Sequence, residues 1–196
     1  MNPIAVFKQT WLEAKELKDA SASYCTLATI SSSHQASVRT LVLREVNDDS
    51  FSLFVNETSP KWQDLTNSKK IEILVFWPSL MQQYRIRGNV SELSRSVMEA
   101  HWRKKPYGAK IIDHFYAQKQ PQSSVIGSRE LLLQGIDELK QKYPSGEEIP
   151  YPNNARGISL QATYIEHWKN SPADRIHKRH EYRLTEGNWK EFILVP

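Results

Sequence analysis

The chain has 196 residues, of which 39% are hydrophobic and 24% charged, and its formal net charge is +4 at pH 7. This composition is typical of a globular domain and excludes an intrinsically disordered chain, while so mild a charge permits an anionic ligand without requiring nucleic acid. The single cysteine, Cys25, excludes a framework of intrachain disulfides, and the six histidines lack the spacing of metal ligands. We therefore expect one domain over residues 1–196 and no bound metal.

The N-terminal segment predicts an amphipathic cover helix within residues 1–20. Asn2 can cap this helix, Pro3 suits its first turn, and apolar side chains follow at helical spacing. No basic stretch precedes an apolar core here, and no apolar run in the chain has the length of a membrane span. We expect a cytoplasmic protein without a signal peptide or a membrane partner.

Short strands with tight connections dominate the next part of the chain. The patterns predict strands over 24–30, 37–46, 51–55, 71–77 and 82–90, with a short helix beginning at Ser59 and Pro60. Because parallel strands need long crossover connections, these short links favour antiparallel pairing.

A helical insertion is predicted over residues 94–143, and strands return over 158–196. The candidate helices cover 94–102, 106–118 and 124–143, and the candidate strands cover 158–168, 177–185 and 189–195. The loop 144–157, rich in Pro, Asn and Gly, has no assigned role. Since the last strands must rejoin the first sheet, we predict an α+β, mainly β fold, an antiparallel barrel with peripheral helices.

Cationic side chains lie on strands that also build the core. Arg39 and Arg44 share one predicted strand, and Lys61 follows a helix start, where free backbone N–H groups and the helix dipole favour an anion. A phosphate-bearing ligand explains this placement. Solvated strand ends and an exposed lysine explain it too, and both interpretations stay open.

Arg175, His177 and Arg179 are spaced two residues apart near the C-terminus. On a strand they would project from one face, where two guanidinium groups and an imidazole can bind a phosphate or a reduced, anionic ring. The alternative is a solvated basic edge strand, because charges on sheet edges block aggregation.

Seven short segments, in order, resemble the pyridoxamine 5′-phosphate oxidase family of FMN-binding split-barrel proteins. They are residues 39–44, 54–56, 59–61, 82–88, 122–123, 165–168 and 175–179. The likeness runs from about residue 22 to the C-terminus. It implies an antiparallel split β-barrel that forms a homodimer with FMN at the subunit interface.

The resemblance also implies the residues that bind FMN. Arg39 and Lys61 match the phosphate ligands, and Gln83 matches a contact to the flavin edge. The strand along the flavin corresponds to Thr40, Leu41 and Val42. The other matching positions are Arg44, Phe54, Val55, Gln122, Ser123, Trp168 and Arg179, and the last four match contacts that the family supplies from the partner subunit.

For catalysis, the resemblance implies that Arg175 and His177 hold a phosphorylated pyridine substrate over the flavin. Arg44 and Lys105 match further substrate contacts, and pyridoxamine 5′-phosphate is the expected substrate. In that family a hydride passes from a substrate carbon to the flavin, which oxygen then reoxidises.

The chain departs from the family at several positions. The family has lysine where Arg44 stands and arginine where Pro60 stands. Its substrate-phosphate set of Tyr, Arg and Ser corresponds here to His101, Lys105 and Ala109, and its Trp-Gly-Gly segment corresponds to residues 155–157. Two alternatives therefore stay open: a flavin-binding protein of this fold without vitamin B6 oxidase activity, and a basic barrel that binds nucleic acid.

Overall fold

The computed structural model describes residues 2–145 and 148–196. Within these residues the chain forms five helices and eight strands. In chain order they are α1 (Pro3–Glu16), β1 (Tyr24–Ile30), β2 (Ala36–Val46), β3 (Ser50–Asn56), α2 (Pro60–Ser68), β4 (Ile71–Trp77), β5 (Gln82–Glu92), α3 (Arg95–Arg103), α4 (Tyr107–Gln118), α5 (Arg129–Lys142), β6 (Ala155–Lys169), β7 (Lys178–Thr185) and β8 (Asn188–Ile193). None of the helices in these two ranges has both the length and the apolar character needed to cross a bilayer.

The strands form one antiparallel sheet in the order β3-β2-β1-β4-β5-β6-β7-β8. Strand β3 also pairs with β6, from Ser50 opposite Gln161 to Asn56 opposite Ala155. This pairing closes six strands into a barrel, and β7 and β8 extend the sheet beyond β6. The predicted antiparallel split barrel with peripheral helices is confirmed.

The barrel core is aromatic where α1 packs onto it. Phe7 is fully buried, and its ring lies 5.0 Å from Phe51, 5.2 Å from Trp77 and 5.0 Å from Tyr84. Burial of each such side chain contributes about 1.5–3 kcal/mol to folding. The apolar face of α1 thus covers the core, and Asn2 Oδ1 caps the helix by accepting from the Ile4 N–H at 2.9 Å.

A second, smaller core joins the helices of the insertion. Trp102, Ile111, Phe115, Leu139 and Ile149 are buried together. The Trp102 indole N–H donates to the Ile149 carbonyl at 2.8 Å, which fixes α3 to the segment that leads into β6. The insertion therefore holds α3 and the α3–α4 connection beside the barrel.

Two boundaries differ from the sequence-based predictions by three residues or more. Helix α5 begins at Arg129 instead of 124, because the Ser128 hydroxyl caps it by accepting from the Leu131 N–H. Strand β6 begins at Ala155 instead of 158, because pairing with β3 extends it into the predicted loop. Of the predicted cover helix and the 144–157 loop, Met1, Gly146 and Glu147 lie outside the described residues.

The prediction that Arg175, His177 and Arg179 share a strand face is wrong. Strand β7 begins only at Lys178, and Arg175 has a φ of 60°. The Asp174 carboxylate accepts from the Ile176 N–H at 2.9 Å and closes a turn there. Arg175 and His177 therefore belong to the connection between β6 and β7.

Candidate active site

A cavity of 460 Å³ lies where β2 and β3 meet the start of α2 and the α3–α4 region. Its walls carry both cationic and aromatic side chains. Seven residues predicted to bind cofactor or substrate line it: Leu41, Arg44, Phe54, Val55, Lys61, Lys105 and Gln122. The fold therefore gathers residues that are up to 81 positions apart in the chain.

Lys61 is the most unusual residue of this cavity. Its side chain belongs to a residue that is only 9% exposed, and its ammonium group donates to the Gln122 Oε1 atom at 2.9 Å. Within residues 2–145 and 148–196, no carboxylate lies within 4.0 Å of it. Burial, followed by repulsion from Arg39, lowers the pKa of Lys61 to about 8. A buried ammonium with two further donors and no counter-charge would gain from a bound anion.

Arg39 lies on β2, close enough to Lys61 to lower the pKa of its amine. One guanidinium nitrogen donates to the Thr29 hydroxyl at 2.6 Å, and another lies 4.0 Å from an Asp64 carboxylate oxygen. Burial lowers the pKa of Arg39, although Asp64 opposes this shift. These contacts hold the guanidinium in place behind Lys61, and Asp64 balances its charge only in part.

Asn56 supplies a buried donor at the wall of the same cavity. Its Oδ1 atom accepts from the Thr58 N–H at 3.0 Å and the Thr58 hydroxyl at 2.7 Å, but its Nδ2 atom has no partner in the described part of the chain. An unpaired buried donor costs about 1–3 kcal/mol. The amine of Lys61 and the free amide N–H of Asn56 line the cavity, and with the Arg39 guanidinium close to the amine they form a donor set that fits a phosphate-bearing ligand.

Gln122 reaches this cavity from its own chain. Its backbone N–H donates to the Thr58 hydroxyl at 3.0 Å, and its side chain accepts from Lys61. The resemblance implies that Gln122 contacts FMN from the partner subunit, and that role stays a prediction beside these contacts within the chain. Ser123, its neighbour, is exposed and has a φ of 69°.

The end of the cavity formed by α3 and α4 is lined by an ion pair and by a contact between a histidine and a carboxylate. Lys105 forms an ion pair with Asp113, and His101 Nε2 lies 3.2 Å from a Glu45 carboxylate oxygen. The His101 ring also packs edge-on against Phe54, with 4.7 Å between ring centroids. On the other side of Phe54, the Arg44 guanidinium lies 5.1 Å from the ring centroid.

Other predicted residues form a second cluster on the outer face of the barrel. Gln83 pairs with Trp168, and Trp168 pairs with Arg179, across β5, β6 and β7. The ring of His177 lies 5.0 Å from that of Trp168. Arg175 is exposed just before this point. We call Gln83, Trp168, Arg175, His177 and Arg179 the outer cluster.

The outer cluster and the cavity lie near opposite ends of β6. Gly157 pairs with Phe54 beside the cavity, whereas Trp168 pairs with Gln83. Trp168 lies eleven positions after Gly157 on this strand, a path of about 35 Å. A single chain therefore does not bring the two groups of predicted residues together.

Thr40 and Val42 also lie on the outer face, away from the cavity. Thr40 pairs with Thr26 and Val42 with Tyr24, and paired side chains share a face of the sheet. Leu41, between them, lines the cavity instead. The strand predicted to lie along the flavin thus has side chains on the outer face of the sheet and in the cavity.

Glu166 balances the cations of the outer face, a role that sequence reasoning missed. It is buried, and it accepts from Arg85 at 3.1 Å and from Arg179 at 2.8 Å. Glu72 pairs with Arg85 at 2.5 Å and with Arg87 at 2.9 Å. Because acidic and basic residues alternate on adjacent strands, the sequence pattern could have predicted that Glu166 pairs with arginines. Asp113 gave no such signal, because its pairing with Lys105 depends on how α4 packs.

Comparisons with known proteins give a consistent result. A family model described as pyridoxamine 5′-phosphate oxidase matches residues 13–143. The pyridoxine/pyridoxamine 5′-phosphate oxidase of Pelagibacter ubique is 36% identical over 199 residues, covering 100% of this chain and 92% of the relative. The protein of the same name from Psychrobacter sp. is 34% identical over 196 residues, covering 99% and 89%.

Solved structures share the fold. PhzG from Burkholderia lata 383, in complex with tetrahydrophenazine-1-carboxylic acid, has a TM-score of 0.89 at 26% identity, covering 100% of this chain and 93% of that chain. A pyridoxamine 5′-phosphate oxidase-related, FMN-binding protein from Nostoc punctiforme has a TM-score of 0.79 at 18% identity, covering 100% and 99%, which shows the fold alone. The resemblance found in the sequence is confirmed: the chain belongs to the pyridoxamine 5′-phosphate oxidase family.

Proposed function

We propose that this chain is an FMN-dependent oxidoreductase that acts as a homodimer on a planar, anionic heteroaromatic substrate. The observation that carries the proposal is the buried ammonium of Lys61, whose nearest hydrogen-bond partner is the neutral amide of Gln122. A phosphate at this position would offset its charge and accept its remaining hydrogen bonds. FMN carries such a phosphate, and the related protein from Nostoc punctiforme that shares this fold is described as FMN-binding.

The residues around Lys61 would hold the phosphate end of FMN. Lys61 and Arg39 would supply charge, and Asn56 Nδ2 and Gln122 would supply further polar contacts. Leu41, Phe54 and Val55 would give the flavin an apolar wall beside them. When bound, FMN would supply the hydride acceptor, which no amino-acid side chain provides. The chain's own contribution is to bind, orient and enclose the reacting rings.

A homodimer would unite the cavity of one copy with the outer cluster of the other. Apolar side chains on the outer face of β1, β2 and β4 support this part of the proposal: Tyr24, Ile30, Val38 and Phe76 are exposed there. Phe76 pairs with Gln83, so the apolar face borders the outer cluster. Exposed apolar faces of this kind favour self-association, and two-fold symmetry would then form the same site twice.

The outer cluster would act on the substrate. Arg175 and His177 lie on an exposed connection, where a guanidinium and an imidazole can contact a bound acidic group and a reacting atom. Arg44 would contribute from the cavity side. Trp168, next to His177, offers a flat surface for ring stacking.

Two substrate chemistries fit the proposed site. The names of the curated relatives suggest a vitamin B6 5′-phosphate, pyridoxamine 5′-phosphate above all. The tetrahydrophenazine-1-carboxylic acid bound by PhzG suggests a heteroaromatic carboxylate instead. The second candidate gains support from the pairing of Lys105 with Asp113, which reduces the free positive charge available for a substrate phosphate.

A nucleic-acid-binding barrel has less support. Such a surface needs cations that are free to neutralise phosphates. Arg85, Arg87 and Arg179 are each paired with a carboxylate of Glu72 or Glu166. The basic strands of the outer face therefore have little free charge to offer to a nucleic-acid backbone.

A visible absorption spectrum of the purified protein with FMN, recorded before and after substrate addition without oxygen, tests the proposal. We expect a bound-flavin spectrum that bleaches with a heteroaromatic reductant and returns with oxygen. A flavin spectrum that no reductant of either class bleaches would contradict the oxidoreductase activity. The absence of FMN binding would contradict the proposal as a whole.

A further inference from the structure

Lys105 lines the α3–α4 end of the cavity, and its charge is already balanced. It forms an ion pair with Asp113 of α4, and the two side chains are only 22% and 13% exposed. Its ammonium group also lies 5.5 Å from the centroid of the Trp102 ring. Partial burial strengthens this pair, because water screens it less than it screens a surface pair.

Two other basic side chains near this end, those of His101 and Arg156, have acidic partners as well. His101 contacts Glu45 at 3.2 Å, and Arg156 contacts Glu57 at 2.8 Å and Glu92 at 3.2 Å. Lys104 also lines the cavity, but it is exposed at the C-terminal end of α3. Lys61 at the opposite end therefore differs from its counterparts here in having a buried charge without a carboxylate.

A phosphate entering this end would meet an unfavourable arrangement. To bind Lys105 it would have to displace Asp113 and leave that carboxylate poorly solvated beside a dianion. Ala109, one helical turn before Asp113 on α4, offers no hydroxyl donor. Unpaired and like charges of this kind are a known means of rejecting a ligand.

We infer that Asp113 is a specificity-determining residue: by holding Lys105 it weakens the binding of a substrate phosphate at this end of the cavity. This inference rests on the proposed function, because it concerns the substrate end of the same site. A carboxylate carries a single charge and has other cations within reach of the cavity, Arg44 and Lys104 among them. It can therefore bind without breaking the Lys105–Asp113 pair.

The test compares two unreactive probes that differ only in the phosphate, 4′-deoxypyridoxine 5′-phosphate and its dephosphorylated form. Their dissociation constants for the FMN-loaded protein are measured by titration calorimetry, and their ratio gives the advantage that the phosphate confers. Asp113→Asn frees Lys105 with little change in shape, so we expect the ratio to rise at least about tenfold. Lys105→Met added to Asp113→Asn should reverse that gain.

Asp137→Asn is the matched control, because Asp137 pairs with Lys140 on the exposed side of α5, away from the cavity. An unchanged ratio in Asp113→Asn would overturn the inference. The single variant Lys105→Met gives an independent check in case Asp113→Asn fails to fold. We expect it to leave the wild-type ratio nearly unchanged, and a tenfold or larger fall would show that Lys105 already serves a phosphate.

Failure of the inference can be told apart from failure of the proposed function. A protein that holds FMN but whose ratio does not respond to Asp113→Asn keeps the function and loses the inference. A protein that holds no FMN loses the function, and the same ratio measured without FMN still decides whether Asp113 governs phosphate binding.

Discussion

The cavity beside α2 and the outer face of β5, β6 and β7 both concentrate basic side chains. They differ in whether a carboxylate of the chain balances the positive charge. In the cavity, Lys61 is buried against a neutral amide, and its neighbour Arg39 repels it. On the outer face, the buried carboxylate of Glu166 accepts from both Arg85 and Arg179. The first arrangement is incomplete without an anion, whereas the second is balanced within the chain.

This contrast shows how the surroundings of a basic residue determine its role in this fold. A cation with a carboxylate partner stabilises the scaffold and orients its neighbours. A buried cation without one reduces stability unless a ligand supplies the missing charge. Location relative to acidic side chains, more than the number of cations, separates a ligand site from a structural network.

The largest expected effect comes from removing the unbalanced charge. Lys61→Ala combined with Arg39→Ala should weaken FMN binding by about 3–6 kcal/mol, because each charge-assisted phosphate contact contributes about 1.5–3 kcal/mol. Fluorescence titration of FMN measures the loss. Circular dichroism should show that the barrel persists, since within residues 2–145 and 148–196 Lys61 forms no salt bridge and Arg39 has only a 4.0 Å contact with Asp64.

Lys140→Ala with Arg95→Ala is the matched control for that variant. It removes the same net charge, but both cations belong to exposed ion pairs on helices. FMN affinity should stay within about twofold of the wild type, because exposed charges are screened by salt. An equal loss in both double variants would mean that overall charge, and not a phosphate site, governs FMN binding.

The next largest expected effect is a loss of stability when the carboxylate of Glu166 is removed from the outer face. Glu166→Gln should lower the free energy of unfolding by about 2–4 kcal/mol, because it removes the carboxylate that two guanidinium groups share. Arg85 keeps Glu72, which limits the loss. Glu138→Gln, in an exposed pair with Lys119, should change stability by no more than about 0.5 kcal/mol. Urea denaturation compares the two, and equal effects would contradict the structural role of Glu166.

The smallest expected effect is a dependence of stability and of FMN affinity on pH, which arises from Lys61 in the cavity. The pKa of Lys61 is about 8 in the folded chain and about 10.5 when unfolded, so the folded state binds fewer protons between these values. Stability without FMN should therefore rise as pH increases through this window. A bound phosphate favours the protonated amine, so FMN affinity should fall by up to about tenfold per pH unit above 8.

Titrations of FMN between pH 7 and 9.5 check this prediction. Lys61→Gln has no titrating group at this position and should give weaker binding with a flatter dependence on pH. A wild-type affinity that does not change across this range would show that Lys61 does not contact the bound anion.

The fold could be predicted largely from the sequence because its signals are local. Alternating apolar residues, short connections and the Asn2–Pro3 start specify strands, antiparallel pairing and α1. The first residues of β6 could not be predicted in this way, because Ala155 and Arg156 owe their extended form to pairing with β3. The turn at Arg175 was missed because it depends on the Asp174 carboxylate.

The candidate site was predictable only in part. The cations and their order along the chain could be identified, and Lys61 and Gln122 do meet. Their partners could not be identified, because the pairing of Lys105 with Asp113 and of Arg179 with Glu166 arises from packing between separate elements. Sequence patterns therefore locate charges, whereas the structure shows which of them are already balanced.

The most direct measurement is the affinity of the wild-type protein for FMN compared with riboflavin, which lacks the phosphate. If the buried charge of Lys61 is a phosphate site, FMN should bind at least about 100-fold more tightly, since two charge-assisted contacts contribute about 3 kcal/mol or more. Equal affinities for FMN and riboflavin would contradict the account, because the phosphate would then find no partner in the cavity.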